Sequence, residues 1–210
     1  PRRESERDDV TAFVVDALRS VDGAGRSMYV SGMPGTGKTA TVHEVIRTCR
    51  ARSDLPPFEF LEINAMRLPK PPHAYSLLWR AVARVATDAD DTKLPSGDLA
   101  AKRLEKLFSS GEIDNNRKKK KKMVICLVDE LDYLVTKQQS VLYNLFEWPC
   151  RANANLAVIG VANTMDLPER LEPKVRSRFL GLSPLVSTLT RRISAISPSN
   201  FKISTDSESA

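Results

Sequence analysis

The feature that most constrains this chain is the run Gly32-Met33-Pro34-Gly35-Thr36-Gly37-Lys38-Thr39, which matches the pattern GxxxxGK[ST]. It follows the short apolar run Met28-Tyr29-Val30 and precedes a segment with apolar residues at Val42, Val45, Ile46 and Cys49, the spacing of a helix packed on one face. A strand that turns through glycines into a helix leaves backbone N–H groups aimed outward at a positive helix end, which is a cradle for phosphate. Gly32, Pro34, Gly35, Thr36, Gly37, Lys38 and Thr39 are therefore the candidate nucleotide-binding residues. Lys38 is expected at the β- and γ-phosphates of ATP, and the Thr39 hydroxyl on Mg²⁺.

A second motif completes the first. Val124-Ile125-Cys126-Leu127-Val128 is an apolar strand that ends in the adjacent carboxylates Asp129 and Glu130. Asp129, at the strand's carboxyl end, suits the Mg²⁺ shell, while Glu130 suits the base that polarises an attacking water. Asn163 follows another apolar run, Leu156 to Val161, and its amide can reach a γ-phosphate or that water; an Asn after a strand is otherwise a common turn residue. Arg176 and Arg178 follow Pro173, and spacing alone gives them no role beyond the surface.

Between these motifs strands alternate with helices. Phe58 to Ile63 alternates like a strand, while Val10 to Val21, Tyr75 to Ala86, Leu104 to Phe108 and Val141 to Phe146 carry helical apolar spacing. The near-continuous apolar strands are those of a parallel sheet covered on both faces, so the expectation is a three-layer α/β/α fold. Ser109 to Lys122 has no apolar period and reads as an exposed, basic, flexible insertion, and residues 182–210 read as a Ser/Thr-rich divergent tail without fixed structure. Residues 1–181 remain as the ATPase core.

The formal net charge of +6 suggests nucleic acid until its distribution is considered. Arg117 with Lys118 to Lys122 carries six positive charges, so the remainder is formally neutral and presents no basic face by bulk charge. The run itself fits a solvated loop, with a nuclear-localisation patch or a nonspecific DNA tether as the functional alternatives. Cys49, Cys126 and Cys150 are widely spaced, without a CxxC and with only two histidines, which fits buried packing in a reducing compartment and does not suggest zinc. No apolar run reaches the roughly 20 residues of a membrane helix, and the start at Pro1 reads as that of an internal fragment.

GMPGTGKTATVHEVIR, LVDELDYLV, VLYNLFEWP and VANTMDLPER, in that order, resemble the AAA+ domain of the largest subunit of the eukaryotic origin recognition complex. The resemblance covers roughly Pro1 to Gly181. It implies an AAA+ P-loop fold with a five-stranded parallel sheet, Lys38 and Thr39 as Walker A, Asp129 and Glu130 as Walker B, and Asn163 as sensor 1. It also raises Arg178, more than Arg176, to an arginine donated to a neighbouring subunit's nucleotide. Pro1 to Glu4 resembles a segment beside the adenine, and Asn64 to Tyr75 resembles an initiator-specific insertion that brings Arg67 and Lys70 toward DNA phosphates. The implied partners are the other subunits of a hetero-oligomeric ring, a Cdc6-type loader and double-stranded DNA, with no membrane and a nuclear location. The implied activity is ATP binding and hydrolysis in replication initiation. The paralogous Cdc6-type initiator and an ATP-gated scaffold with little turnover are the alternatives. After Gly181 the family's fifth strand, helical lid with its sensor 2 arginine, and winged helix are not recognisable, so the lid is expected to be largely missing.

Overall fold

The strand Met123–Asp129 (β3) owes its place to having no polar residue before its last, and it lies in the middle of a parallel sheet. Its alternate side chains serve two cores. Val124, Cys126 and Val128 join one cluster and Ile125 and Leu127 the other, so a run of consecutive apolar residues is needed rather than an alternating one. In the computed structural model, which describes residues 2–20, 26–87, 94–110, 122–151, 154–164 and 166–180, the other strands are Ser27–Ser31 (β1), Phe58–Asn64 (β2) and Leu156–Ala162 (β4). The sheet order is β1-β4-β3-β2, all parallel.

Helices cover both faces, as the sequence predicts. Arg2–Arg19 (α1) and Lys38–Ala51 (α2) bury Phe13, Val14, Val42 and Ile46 against one face. His73–Thr87 (α3), Gly97–Ser110 (α4) and Ser140–Glu147 (α5) bury Leu78, Leu104, Leu142 and Phe146 against the other. Two short helices follow β4, Leu167–Arg170 (α6) and Pro173–Leu180 (α7). α1 begins at Arg2, eight residues ahead of the first apolar position of its stripe, and the exposed residues Glu4 to Asp8 need no core contact.

The five-stranded sheet implied by the resemblance is corrected to four strands among the described residues. β1 is an edge strand bonded to β4 alone. A fifth strand would have to return along β1 after α7, and residues 181–210 lie outside the described residues, as do residues 111–121, which hold most of the basic insertion. α4 itself continues through Ser110, two residues into the stretch read as insertion.

The order of strands positions the site. In such sheets the carboxyl ends of neighbouring strands whose connections diverge leave a crevice. Here β1, β4 and β3 lie side by side, so the segments that follow them emerge together. Gly160 in β4 makes one of the close approaches that this requires, since a Cβ there would fall 2.8 Å from Phe146 Cζ and 3.0 Å from Leu131 Cδ2.

Candidate active site

The loop after β1 runs into α2 through two glycines in the left-handed region, Gly35 at φ 76° and Gly37 at φ 80°. A side chain at either would be strained, although no atom lies within 4 Å of where its Cβ would stand. The loop thus faces open space, as a cradle for phosphate must. Lys38, the first residue of α2, donates its ammonium to the Gly32 carbonyl (2.8 Å), the Met33 carbonyl (3.0 Å) and Asn163 Oδ1 (3.1 Å). Thr36 caps the loop internally through a bond from its hydroxyl to the Met33 carbonyl at 2.8 Å.

The ends of β3 and β4 close on this loop. Thr39 Oγ1 donates to Asp129 Oδ2 at 3.1 Å, joining the residue after the lysine to the last residue of β3. Asp129 Oδ1 accepts the Glu130 backbone N–H at 2.9 Å, and Glu130 sits at φ 56°, a left-handed backbone unusual for a side chain with a Cβ. Such outliers concentrate where a side chain is held for a purpose. The Asn163 amide donates to Glu130 Oε2 at 2.6 Å while its oxygen accepts from Lys38, so it bridges the loop lysine and the carboxylate. All five residues are half-buried.

The structure therefore brings together five residues drawn from three separate stretches of sequence: Lys38 with Thr39, Asp129 with Glu130, and Asn163. The set fits nucleotide and Mg²⁺. A hydroxyl next to one carboxylate is the sparse protein ligation that Mg²⁺ accepts when phosphate oxygens supply other positions. A cleft of about 220 Å³ adjoins the loop, lined by Glu4 and Arg7 of α1 with Thr36, Gly37, Ala40, Thr41 and Glu44. Of the segment expected beside the adenine, Glu4 lines this cleft, and Arg7 and Glu44 are added to it; they are 3.7 Å apart and ion-paired.

Other expected residues lie elsewhere. Arg67 is exposed in a 3₁₀ turn after β2 (Ala65–Arg67) and lines a groove of about 700 Å³ with Asn64, His73 and Ser76, and Lys70 is exposed just beyond. Arg176 is exposed on α7, and Arg178 follows it there, with its side chain outside the described residues. Three residues not singled out from the sequence support the site. Asp132 accepts the Asn163 backbone N–H at 2.9 Å and the Thr164 hydroxyl, and the Tyr29 hydroxyl donates to the Thr164 carbonyl at 3.1 Å. Burial, followed by the nearby Asp132 charge, pushes the Tyr29 hydroxyl well above its ordinary pKa, so it stays a donor. The repeated acid in Asp129-Glu130-Leu131-Asp132 was the available signal for the last of the carboxylates.

A parallel α/β sheet with a glycine loop, hydroxyl, acidic pair and asparagine at its carboxyl edge defines the P-loop class of nucleoside-triphosphate-binding folds. Residues 28–182 match the model of the ATPase family associated with various cellular activities (AAA), and the chain belongs to that family. Its similarity is close to one group within it. Origin recognition complex subunit 1 of Rattus norvegicus is 44% identical over 187 residues, which make up 87% of this chain and 20% of the rat protein. The same subunit of Dictyostelium discoideum is 40% identical over 185 residues, 85% of this chain and 28% of that protein. A chain in the structure of Drosophila ORC bound to DNA aligns with a TM-score of 0.67 at 43% identity, over 81% of this chain and 40% of that one. The chain thus spans about a fifth of the rat relative's length.

Proposed function

We propose that this chain is the ATP-binding and hydrolysing core of an origin recognition complex subunit, with residues 1–181 as the ATPase unit. The observation that carries the reading is the Lys38–Asn163–Glu130 chain of hydrogen bonds beside Thr39 and Asp129, in a chain 44% identical to an origin recognition subunit. Gly32 to Thr39 would wrap the phosphates with backbone N–H groups, and Lys38 would exchange its loop carbonyls for phosphate oxygens. Thr39 and Asp129 would hold Mg²⁺, which when bound supplies neutralisation of phosphate charge. Glu130 orients the attacking water and takes its proton, while Asn163 holds the Glu130 carboxylate in place.

Arg178 is the residue offered to a neighbouring subunit's nucleotide, and Arg67 and Lys70 are phosphate contacts to double-stranded DNA. Partners are the other subunits of the complex and a Cdc6-type loader, and the site of action is the nucleus. Bound ATP joins ring neighbours, and hydrolysis resets them. A finger arginine from a neighbour typically contributes ~10³ to 10⁵ in rate, so the chain by itself turns over slowly.

The test is equilibrium binding of a fluorescent ATP analogue with Mg²⁺ to the purified chain beside Lys38→Ala, followed by co-assembly with the other complex subunits. Binding abolished in the variant and ATP-dependent assembly of the wild type support the reading. Equal binding by the two proteins, each folded by circular dichroism, would sink it.

A further inference from the structure

The parallel ladder between β1 and β4 ends at the Ser31–Ala162 pair, one residue before Asn163. Strand pairing therefore does not hold the backbone at Asn163 and Thr164. Two other groups do. The Asp132 carboxylate spans the segment from one side, with Oδ2 on the Asn163 backbone N–H at 2.9 Å and Oδ1 on the Thr164 hydroxyl. The hydroxyl of Tyr29, a residue 5% exposed, holds the Thr164 carbonyl at 3.1 Å.

This anchoring matters because the Asn163 amide must point one way. Its oxygen accepts from the Lys38 ammonium and its nitrogen donates to the Glu130 carboxylate. Half a turn of the amide would set a donor against the ammonium and an acceptor against the carboxylate, and both contacts would become repulsive. The side chain has only two rotatable bonds, so the aim of its amide is set largely by where the backbone of residue 163 stands.

We propose that Asp132, backed by Tyr29, is a positioning residue for ATP hydrolysis, fixing the backbone at Asn163 and Thr164 so that the Asn163 amide is aimed between Lys38 and Glu130. This rests on the reading of the site given above. Asp132 acts through Asn163 and needs no contact with nucleotide. Its loss therefore slows turnover and leaves affinity alone, since misplacing a reactive group by about 1 Å costs on the order of 10² in rate.

Single-turnover hydrolysis of labelled ATP with protein in excess, binding of a non-hydrolysable analogue, and the ¹⁵N amide resonance of Asn163 test this on the 210-residue chain. Asp132→Ala is expected to slow hydrolysis roughly 10- to 100-fold with an affinity within about 3-fold of wild type. It should also shift the Asn163 amide resonance. Asp132→Asn, which keeps an acceptor, should recover much of the rate. In an Asn163→Ala background the same change should add little, because residues acting through one another are not additive. Tyr29→Phe and Thr164→Val each remove one hydroxyl and carry the same test at smaller amplitude if Asp132→Ala does not fold. An unmoved Asn163 resonance, a wild-type rate in Asp132→Ala while Glu130→Gln is inactive, or additive losses with Asn163→Ala would each overturn the proposal. Normal analogue binding by Lys38→Ala would instead overturn the reading of the site beneath it.

Discussion

Glu130 combines a position legible in the sequence with a posture that is not. Its place could be read from a strand that ends in adjacent carboxylates, but its left-handed backbone at φ 56° could not, nor could its 2.6 Å bond from Asn163, which arises only when β4 is laid beside β3. Lys38, Thr39 and Asp129 were equally readable, because each is fixed to its motif by local spacing. Asp132, Thr164 and Tyr29 were not, because their work depends on contacts across 31, 32 and 135 positions of sequence. The prediction at this scale concerns the proton. Glu130→Gln keeps an oxygen that can accept from the Asn163 amide, so the site should keep its shape and bind the ATP analogue as wild type does. Only the ability to take a proton from water is lost, and general-base groups contribute about 10²- to 10⁴-fold. Turnover measured beside analogue affinity should therefore fall by at least about 10² with the affinity unmoved. A scaffold that binds ATP without using it would lose nothing.

At the scale of elements, α6 and α7 were not among the expected helices, whereas β3 and β4 were legible because burial on two faces makes them almost wholly apolar, β2 because it alternates, and α1 to α5 because each packs on one face. Their ends were less so: α4 runs to Ser110 because Glu105 and Ser109 are drawn to the turn after α5, where Arg151 Nη1 donates to Glu105 Oε1 at 2.7 Å and to Ser109 Oγ at 2.8 Å, and Trp148 Nε1 to Glu105 Oε2 at 2.8 Å. β4 carries the tightest packing constraint. Gly160→Ala would place a methyl against the Phe146 ring of α5 and the Leu131 side chain beside the site, and overpacking of this kind costs about 1–3 kcal/mol. Urea unfolding of the variant should show that loss, and because Leu131 lies between Glu130 and Asp132, slower turnover should accompany it. Asp54 ties the ends of α1 and α2. Arg52 donates to it with both Nε (2.9 Å) and Nη2 (2.7 Å), and Arg19 adds a third bond at 2.9 Å. The Arg52 guanidinium, and after it Arg19, hold the carboxyl at about 2, below its ordinary 3.8. A depressed carboxyl stabilises the fold above its unfolded pKa and loses that contribution as pH falls through its folded one. Urea midpoints should accordingly decline between about pH 4 and pH 2, and Asp54→Asn should flatten that part of the profile; an unchanged profile would assign the acid sensitivity to other carboxyls.

Two parts of the sequence are candidates for holding a polyphosphate, the P-loop and the lysine run, and the stability of the whole molecule tells them apart. The three-layer plan was legible, since alternating strands and helices with doubly buried strands admit few other arrangements. The number of strands was inferred from resemblance, and the described residues form four because β1 remains an edge. Charge was legible too. The run from Arg117 to Lys122 accounts for the entire formal excess of the chain, and a polycation attracts ATP whether or not the protein is folded. The P-loop exists only in the fold, since it needs β1 and α2 to hold Gly35 and Gly37 in the left-handed region and β3 to bring Asp129 to Thr39. A ligand that binds the folded state alone stabilises it by about 2.7 kcal/mol at a free concentration of 100 times its Kd, whereas one that binds both states equally stabilises nothing. For a chain of this size each kcal/mol moves Tm by about 2–4 °C. With Mg²⁺ and an ATP analogue at that excess, Tm should therefore rise by roughly 5–10 °C. The rise should survive neutralising substitutions of Lys118 to Lys121 and vanish in Lys38→Ala. No rise in the wild type, with analogue binding lost on neutralising the lysine run and kept in Lys38→Ala, would mean that nucleotide binds through bulk charge, and that Gly32 to Thr39 is a loop without a ligand in this chain.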